Sequence, residues 1–239
     1  MEKELNINVS AIGNELAIRH GDAAPVFVYE GFNRLVHSVQ SFIDLVKAKC
    51  GTAHCIINYN ENFISALADD TVIDRNQDYI FYNFFFSNQF DEFKQVFERQ
   101  INQKSFIDFL KRREPGEIMD LESLLAAIQN FRYVTNIAGD FSYDDNNNYT
   151  FMVKIGDAES TVKIPQYISA NLEVYNDSKF FQSIEIEVEV VKPRSESERL
   201  AFTLKCPKLS KYLREAMLHE VEIMKNNLDG YLIVAGQWQ

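Results

Sequence analysis

An α+β architecture is what the sequence predicts: mainly antiparallel sheet with a helical insertion at 88–131 and a C-terminal covering helix. Three observations carry it. Apolar and polar residues alternate in the runs 168–174, 184–190 and 200–206, the period of strands with one buried and one wet face. Polar turns, Asn176-Asp177-Ser178 and Pro193-Arg194-Ser195, join the runs, which makes an antiparallel meander. Leu209, Leu213, Ala216, Met217, Val221 and Met224 then recur at helical spacing, one apolar stripe able to roof that meander.

Taken in order, residues 1–24 read as a mixed lead-in and 25–29 as a short strand. Phe32, Leu35, Val36, Val39, Phe42, Ile43 and Val46 repeat at three and four, which predicts one helix across them. Gly51 follows where a C-terminal glycine is expected. Residues 53–59 and 63–68 are strand-like around a turn at 58–62 and predict a hairpin. The aromatic run 79–86 predicts a buried central strand. A base-stacking platform is the sharper reading, opposed by the lack of any interleaved Lys or Arg.

Three apolar stripes predict three helices: Phe90, Phe93 and Phe97; Phe106, Ile107 and Leu110 after the cap Asn102; and Leu121, Leu124, Leu125 and Ile128 after the cap Asp120. Pro115-Gly116 separates the last two. Residues 134–143 and 149–155 predict a second hairpin, Gly156-Asp157 a turn before a strand at 161–164, and Pro165 an edge or strand start. Asn227 and Gly230 end the last helix, and 231–235 is a closing strand. For the strands at 184–190 and 200–206 we expect Val190 opposite Leu200, Val188 opposite Phe202, and Glu185 opposite Lys205. The alternative sets Glu189 against Arg199.

With 239 residues, 46% apolar, and 9 Gly and 5 Pro, the chain can bury a large core and is neither disordered nor fibrous. It reads as a single domain, 1–239; a composition shift near 133 offers a subdivision into 1–133 and 134–239. Apolar runs stop well short of the ~20 residues of a membrane span. Three cysteines and a leading segment without a basic-then-apolar pattern predict a reducing cytoplasm. The net charge of −11 opposes wholesale binding to nucleic acid.

Catalytic chemistry finds little support. Cys50, His54 and Cys55 gather two thiols and an imidazole, but structural zinc needs a second ligand pair, and drafting Cys206 and His219 is arbitrary. His54 and Cys55 point to opposite faces of a strand, so the imidazole cannot serve that thiol. The acidic loop at 140–148 lacks the glycine and closing glutamate of a calcium loop. Glu185, Glu187 and Glu189 lack the lysine of a nuclease core and read as a solvated strand face that deters edge pairing. Neither a phosphate-binding glycine loop nor a nucleophile elbow occurs. No metal, no cofactor and no enzymatic activity are therefore expected.

One set of residues breaks a local rule. Lys205, Lys208, Lys211 and Arg214 surround the start of the last helix, where the helix dipole favours negative charge. Such violations mark candidate sites, and backbone N–H groups with these cations can hold a phosphate. A solvated polar face is the plain alternative.

Ser41-Phe42, Cys55-Ile56-Ile57, the segment Gln103-Lys104-Ser105-Phe106-Ile107-Asp108-Phe109, Ile164-Pro165 and the closing strand before Gly236 follow one another in an order and spacing that resemble the YfdQ-like proteins. These are a phage and prophage family defined as a domain of unknown function. The likeness runs from about Val26 to Gly236; where family members carry tryptophans ahead of the middle helix, this chain has phenylalanines such as Phe93 and Phe97. The resemblance implies a phage- or prophage-encoded accessory protein in the host cytoplasm and brings no catalytic residues. The function expected first is non-enzymatic binding in phage DNA replication or recombination or in counter-defence, with a protein partner. The second is a nucleotide sponge with a pocket between subunits of a homo-oligomer, and the third is a metal-dependent hydrolase.

Overall fold

A computed structural model describes residues 31–71, 78–130, 142–143, 148–155, 158–191 and 200–236. In chain order its elements are β1 (Asn33–Val36), α1 (Val39–Lys49), β2 (Ile56–Tyr59), β3 (Phe63–Leu67), β4 (Tyr79–Asn83), α2 (Asn88–Val96), β5 (Gln100–Asn102), α3 (Gln103–Lys111), α4 (Leu121–Asn130), β6 (Ser142–Tyr143), β7 (Asn148–Ile155), β8 (Ala158–Pro165), β9 (Tyr167–Glu173), β10 (Phe181–Val191), β11 (Ala201–Lys205), α5 (Leu209–Asn227) and β12 (Leu232–Ala235). The architecture is α+β, with a C-terminal helix, as the alternation and the helical stripes predict. The strand expected at 25–29 and the loop at 144–147 lie outside the described residues.

The first sheet has the order β1-β4-β3-β2-β12. Its inner pairs are antiparallel, including the expected β2–β3 hairpin. Both outer strands run parallel to their neighbours, β1 to β4 and β12 to β2, a mixed topology that the sequence did not suggest. The helix predicted from Phe32 is corrected here. Residues 33–36 pair with 79–82 as a strand, and α1 begins only after Ser38, whose hydroxyl accepts from the Ser41 N–H at 3.2 Å. A hydroxyl that satisfies an orphan N–H fixes a helix start more strongly than apolar spacing extends it. The other end also differs from expectation: Cys50 caps α1 in extended backbone, so Gly51 follows the helix without making a left-handed turn.

The second sheet, β5-β11-β10-β9, is antiparallel throughout. Ile186 and Phe202 are fully buried, as are Ile184, Val188 and Leu172, while the alternate residues of β9 face outward. The register of β10 and β11 differs from the one expected: Glu187, not Glu185, lies opposite Lys205, and Val190 pairs with Phe202. Apolar parity is preserved by any two-residue slip, so the pattern alone cannot choose. β5, too short to alternate, pairs Ile101 with Phe202 on the other edge of β11. The observed register also gives two lysines two partners, Lys205 with Glu189 at 2.9 Å and Lys208 with Glu185 at 2.8 Å.

The roof over this sheet is shared. α5 lies against β10 and α1; α3 lies against β11, where Phe106 and Phe202 are 5.0 Å apart; α2 reaches β9. Asn102 caps α3, accepting from the Ser105 N–H at 2.8 Å. Asp120 sits at the start of α4 with φ 54, in the left-handed region. The third sheet, β6-β7-β8, leans on α4. Each of the two larger sheets thus takes a strand from the other half of the sequence: β5 joins the second, β12 the first. No helix among the described residues is long and apolar enough to cross a membrane.

Candidate functional site

The two larger sheets meet where the chain leaves β4. Phe86 bridges Tyr175, the Ser87 N–H donates to the Val174 carbonyl at 2.9 Å, and the Asn176 N–H to the Phe85 carbonyl at 2.9 Å. The Ser87 hydroxyl then caps α2 by accepting from Phe90 N–H at 3.1 Å. These bonds set three rings together. Phe84 lies 5.0 Å from Tyr175; Phe86 lies 5.8 Å from it and nearly parallel, at 11°. Tyr175 is tied to α5 by its hydroxyl, which donates to the Leu213 carbonyl at 3.3 Å. Burial, with the charges of Glu220 and Glu61, pushes that phenol up to about 12, so it remains a donor at neutral pH.

Above these rings opens a cleft of about 720 Å³. It is lined by Phe84, Phe86, Tyr175 and Met217, by the cations Lys94 from α2 and Lys211 and Arg214 from α5, and by Glu61 and Asn62 at the β2–β3 turn, where the Asn62 carbonyl accepts from the Phe84 N–H at 3.1 Å. The Lys94 ammonium lies over the Phe86 ring, 4.0 Å from its centre. An aromatic face attracts a cation through its quadrupole, so this lysine rests on carbon rather than on a carboxylate.

The basic set named from the sequence is divided. Lys205 and Lys208 spend their charge on Glu189 and Glu185 over the outer face of the meander; hydrogen bonding to those glutamates raises both lysines above their ordinary values. Lys211 reaches Glu215 at 3.6 Å on an exposed face, and no carboxylate pairs with Arg214 among the described residues. Of the four, the two that line the cleft are therefore Lys211, loosely paired, and Arg214. Lys208 caps the helix without a side-chain bond. The N–H groups of Leu209, Lys211 and Tyr212 already donate to the carbonyls of Cys206 and Lys208, so side chains, more than free N–H groups, present the charge.

The remaining candidates do not assemble. Cys50 and Cys55 are buried beside one another; a hydrogen bond from Cys55 holds Cys50 below the usual thiol range and raises Cys55. His54 points elsewhere, 3.6 Å from Asp70. His54, Asp69 and Asp70 bring their ligand-type atoms within 4.8 Å of one another at the surface, but Asp69 already accepts from the Thr71 N–H and hydroxyl at 2.9 and 2.6 Å. Cys206 is buried, its thiol toward the Glu185 carbonyl of β10 at 3.7 Å.

Two features escaped the sequence. The cations missing from the aromatic run come from the helix that follows it, Lys94, and from the far α5, Lys211 and Arg214, which line the same cleft. Glu220 is fully buried within the apolar stripe of α5. Ser178 donates its hydroxyl to Glu220 Oε1, the Tyr82 hydroxyl faces the same carboxyl group, and His219 Nδ1 is buried without a hydrogen-bond partner among the described residues. Burial raises the Glu220 pKa, opposed by the Ser178 bond and, more weakly, by Tyr82, with the Glu173 charge adding. Comparison of the chain with protein-family models, with curated proteins and with solved structures returned no match.

Proposed function

We propose that the protein acts by non-enzymatic binding of a small anion in the cleft between residues 84–86 and α5. The carrying observation is that Lys94, Lys211 and Arg214, from two helices, converge on one aromatic-floored cavity in a chain of net charge −11. Like charges gathered in this way repel, and an anion among them relieves the repulsion. Among the described residues Ser210 is the one hydroxyl nucleophile that α5 gives to the cleft, and no imidazole lines it, which supports binding over turnover. The likeness to the YfdQ-like proteins is what supports a phage- or prophage-encoded accessory role, in DNA replication or recombination or in counter-defence, inside the host cytoplasm.

Calorimetric titration with pyrophosphate and with ATP tests the reading. Binding should weaken as salt is raised and fall at least about tenfold in the Lys211→Ala/Arg214→Ala double variant, since each charge-assisted bond to an anion is worth about 1.5–3 kcal/mol. Undiminished affinity in the double variant, or no binding of either anion, overturns it.

A further inference from the structure

Resting on that reading, we propose that the anion is a nucleoside phosphate, bound with its base against Phe86 and its phosphate among Lys94, Lys211 and Arg214. The cleft is chemically mixed. Lys211 and Arg214 stand three residues apart, on one face of α5, and Ser210 lines the cleft with them. Glu61 and Asn62 line the same cleft and present a carboxylate and an amide. A carboxylate in an anion site repels a simple anion, but it accepts from hydroxyl or amino groups. A ligand that satisfies this lining carries negative charge for the cations, hydrogen-bond donors for the carboxylate and a flat face for the Phe86 ring. A nucleoside phosphate carries all three: phosphate, sugar hydroxyls and base. The volume of about 720 Å³ lies within the ~300–1,000 Å³ of pockets for ligands of this size.

Phe86 is the reachable part of the aromatic floor, since Tyr175 is 3% and Phe84 9% exposed while Phe86 is half-buried. Its ring is covered by the Lys94 ammonium at 4.0 Å. Lysine has a flexible four-carbon stem. On binding, the ammonium moves from ring to phosphate, and the base takes the place it leaves. One side chain thereby guards the stacking face in the empty protein and contacts the anion in the loaded one. A base without a phosphate has to displace the lysine with nothing to receive it, so nucleosides bind poorly.

The test is a competition series on the full chain with AMP, adenosine, ribose 5-phosphate, pyrophosphate and a 5′-phosphorylated single-stranded oligonucleotide. AMP should bind at least about tenfold more tightly than either ribose 5-phosphate or adenosine. Phe86→Leu should bring AMP down to the level of ribose 5-phosphate, while pyrophosphate binds at least as tightly as before because Lys94 no longer has a ring to leave. Glu61→Gln, on an exposed turn where folding is not at risk, should act with opposite signs, tightening pyrophosphate and loosening AMP. Equal affinity for AMP and ribose 5-phosphate with pyrophosphate still bound overturns the nucleotide assignment and leaves anion binding standing; no anion bound overturns both. Glu61→Gln tightening both ligands also overturns the assignment. An oligonucleotide that displaces AMP supports the same chemistry and identifies a strand end as its source; binding of oligonucleotide but not AMP overturns it.

Discussion

Glu117 and Glu220 are both buried carboxylates, and they keep different company. Glu117 receives Arg113 Nη1 at 2.8 Å on one oxygen and the Glu114 N–H at 2.8 Å on the other. Arg113 in turn donates to the Phe109 carbonyl at 3.2 Å, pairs with Glu92 and lies over the Phe109 ring at 4.5 Å. Every strong partner on this pair is met. Glu220 has one close donor, Ser178, with the Tyr82 hydroxyl a weaker one; the imidazole of His219 is 4.0 Å away. Burial, the largest influence on it, raises its pKa, which favours the protonated form. Burial therefore does not carry one cost for every carboxylate; the number and strength of the donors reaching it set the rest.

The largest effect follows from removing the cation. Arg113→Ala leaves Glu117 buried and unpaired and should destabilise by about 3–5 kcal/mol, read as a lowered urea midpoint with an unchanged slope. Ser178→Ala should cost less, about 1–3 kcal/mol for the orphaned acceptor, and more at pH 8 than at pH 5 because the lost bond favours the ionised form. Ser178 lies between Asp177 and Lys179, both left-handed at φ 60 and 58, so loss of its anchor should also raise amide exchange across that turn.

The smallest effect is expected of Glu220→Gln, within about 1 kcal/mol near pH 5. Its pH dependence is the informative part. A glutamate that keeps its proton to higher pH when folded gives full stability below the ordinary value of 4.5 and loses it as pH rises toward the folded pKa. The variant cannot ionise, so its stability relative to the wild type should climb steadily above that pH. Parallel urea-midpoint curves for the two proteins from pH 4 to 8 would show Glu220 already ionised and overturn this contrast.

The legible part of the fold was the part with long periods. Alternation across 168–206 placed β9, β10 and β11, and the stripe from Leu209 to Met224 placed α5, because those faces repeat over many residues. β1 was misread because Leu35, Val36 and Val39 happen to continue helical spacing through a strand, with Ser38 marking the real start. β5 carries three residues and no repeat, yet it covers the outer edge of β11. Of the site, Lys211 and Arg214 could be found because they violate a local electrostatic preference. Phe86 and Lys94, eight residues apart, meet Tyr175 and α5 only through pairing between distant segments, which no local pattern encodes. Glu220 was passed over as one polar residue in an apolar stripe.

The pairing of β12 with β2 has a consequence for synthesis. Ile56 and Ile57 emerge from the ribosome early, but the strand that covers their outer edge is completed only at Ala235. At roughly 5–20 residues per second, that edge waits on the order of ten seconds or more. During that interval the nascent chain exposes an aliphatic template to its neighbours, so its yield in the cell should depend on translation speed and chaperone supply more than its finished stability suggests.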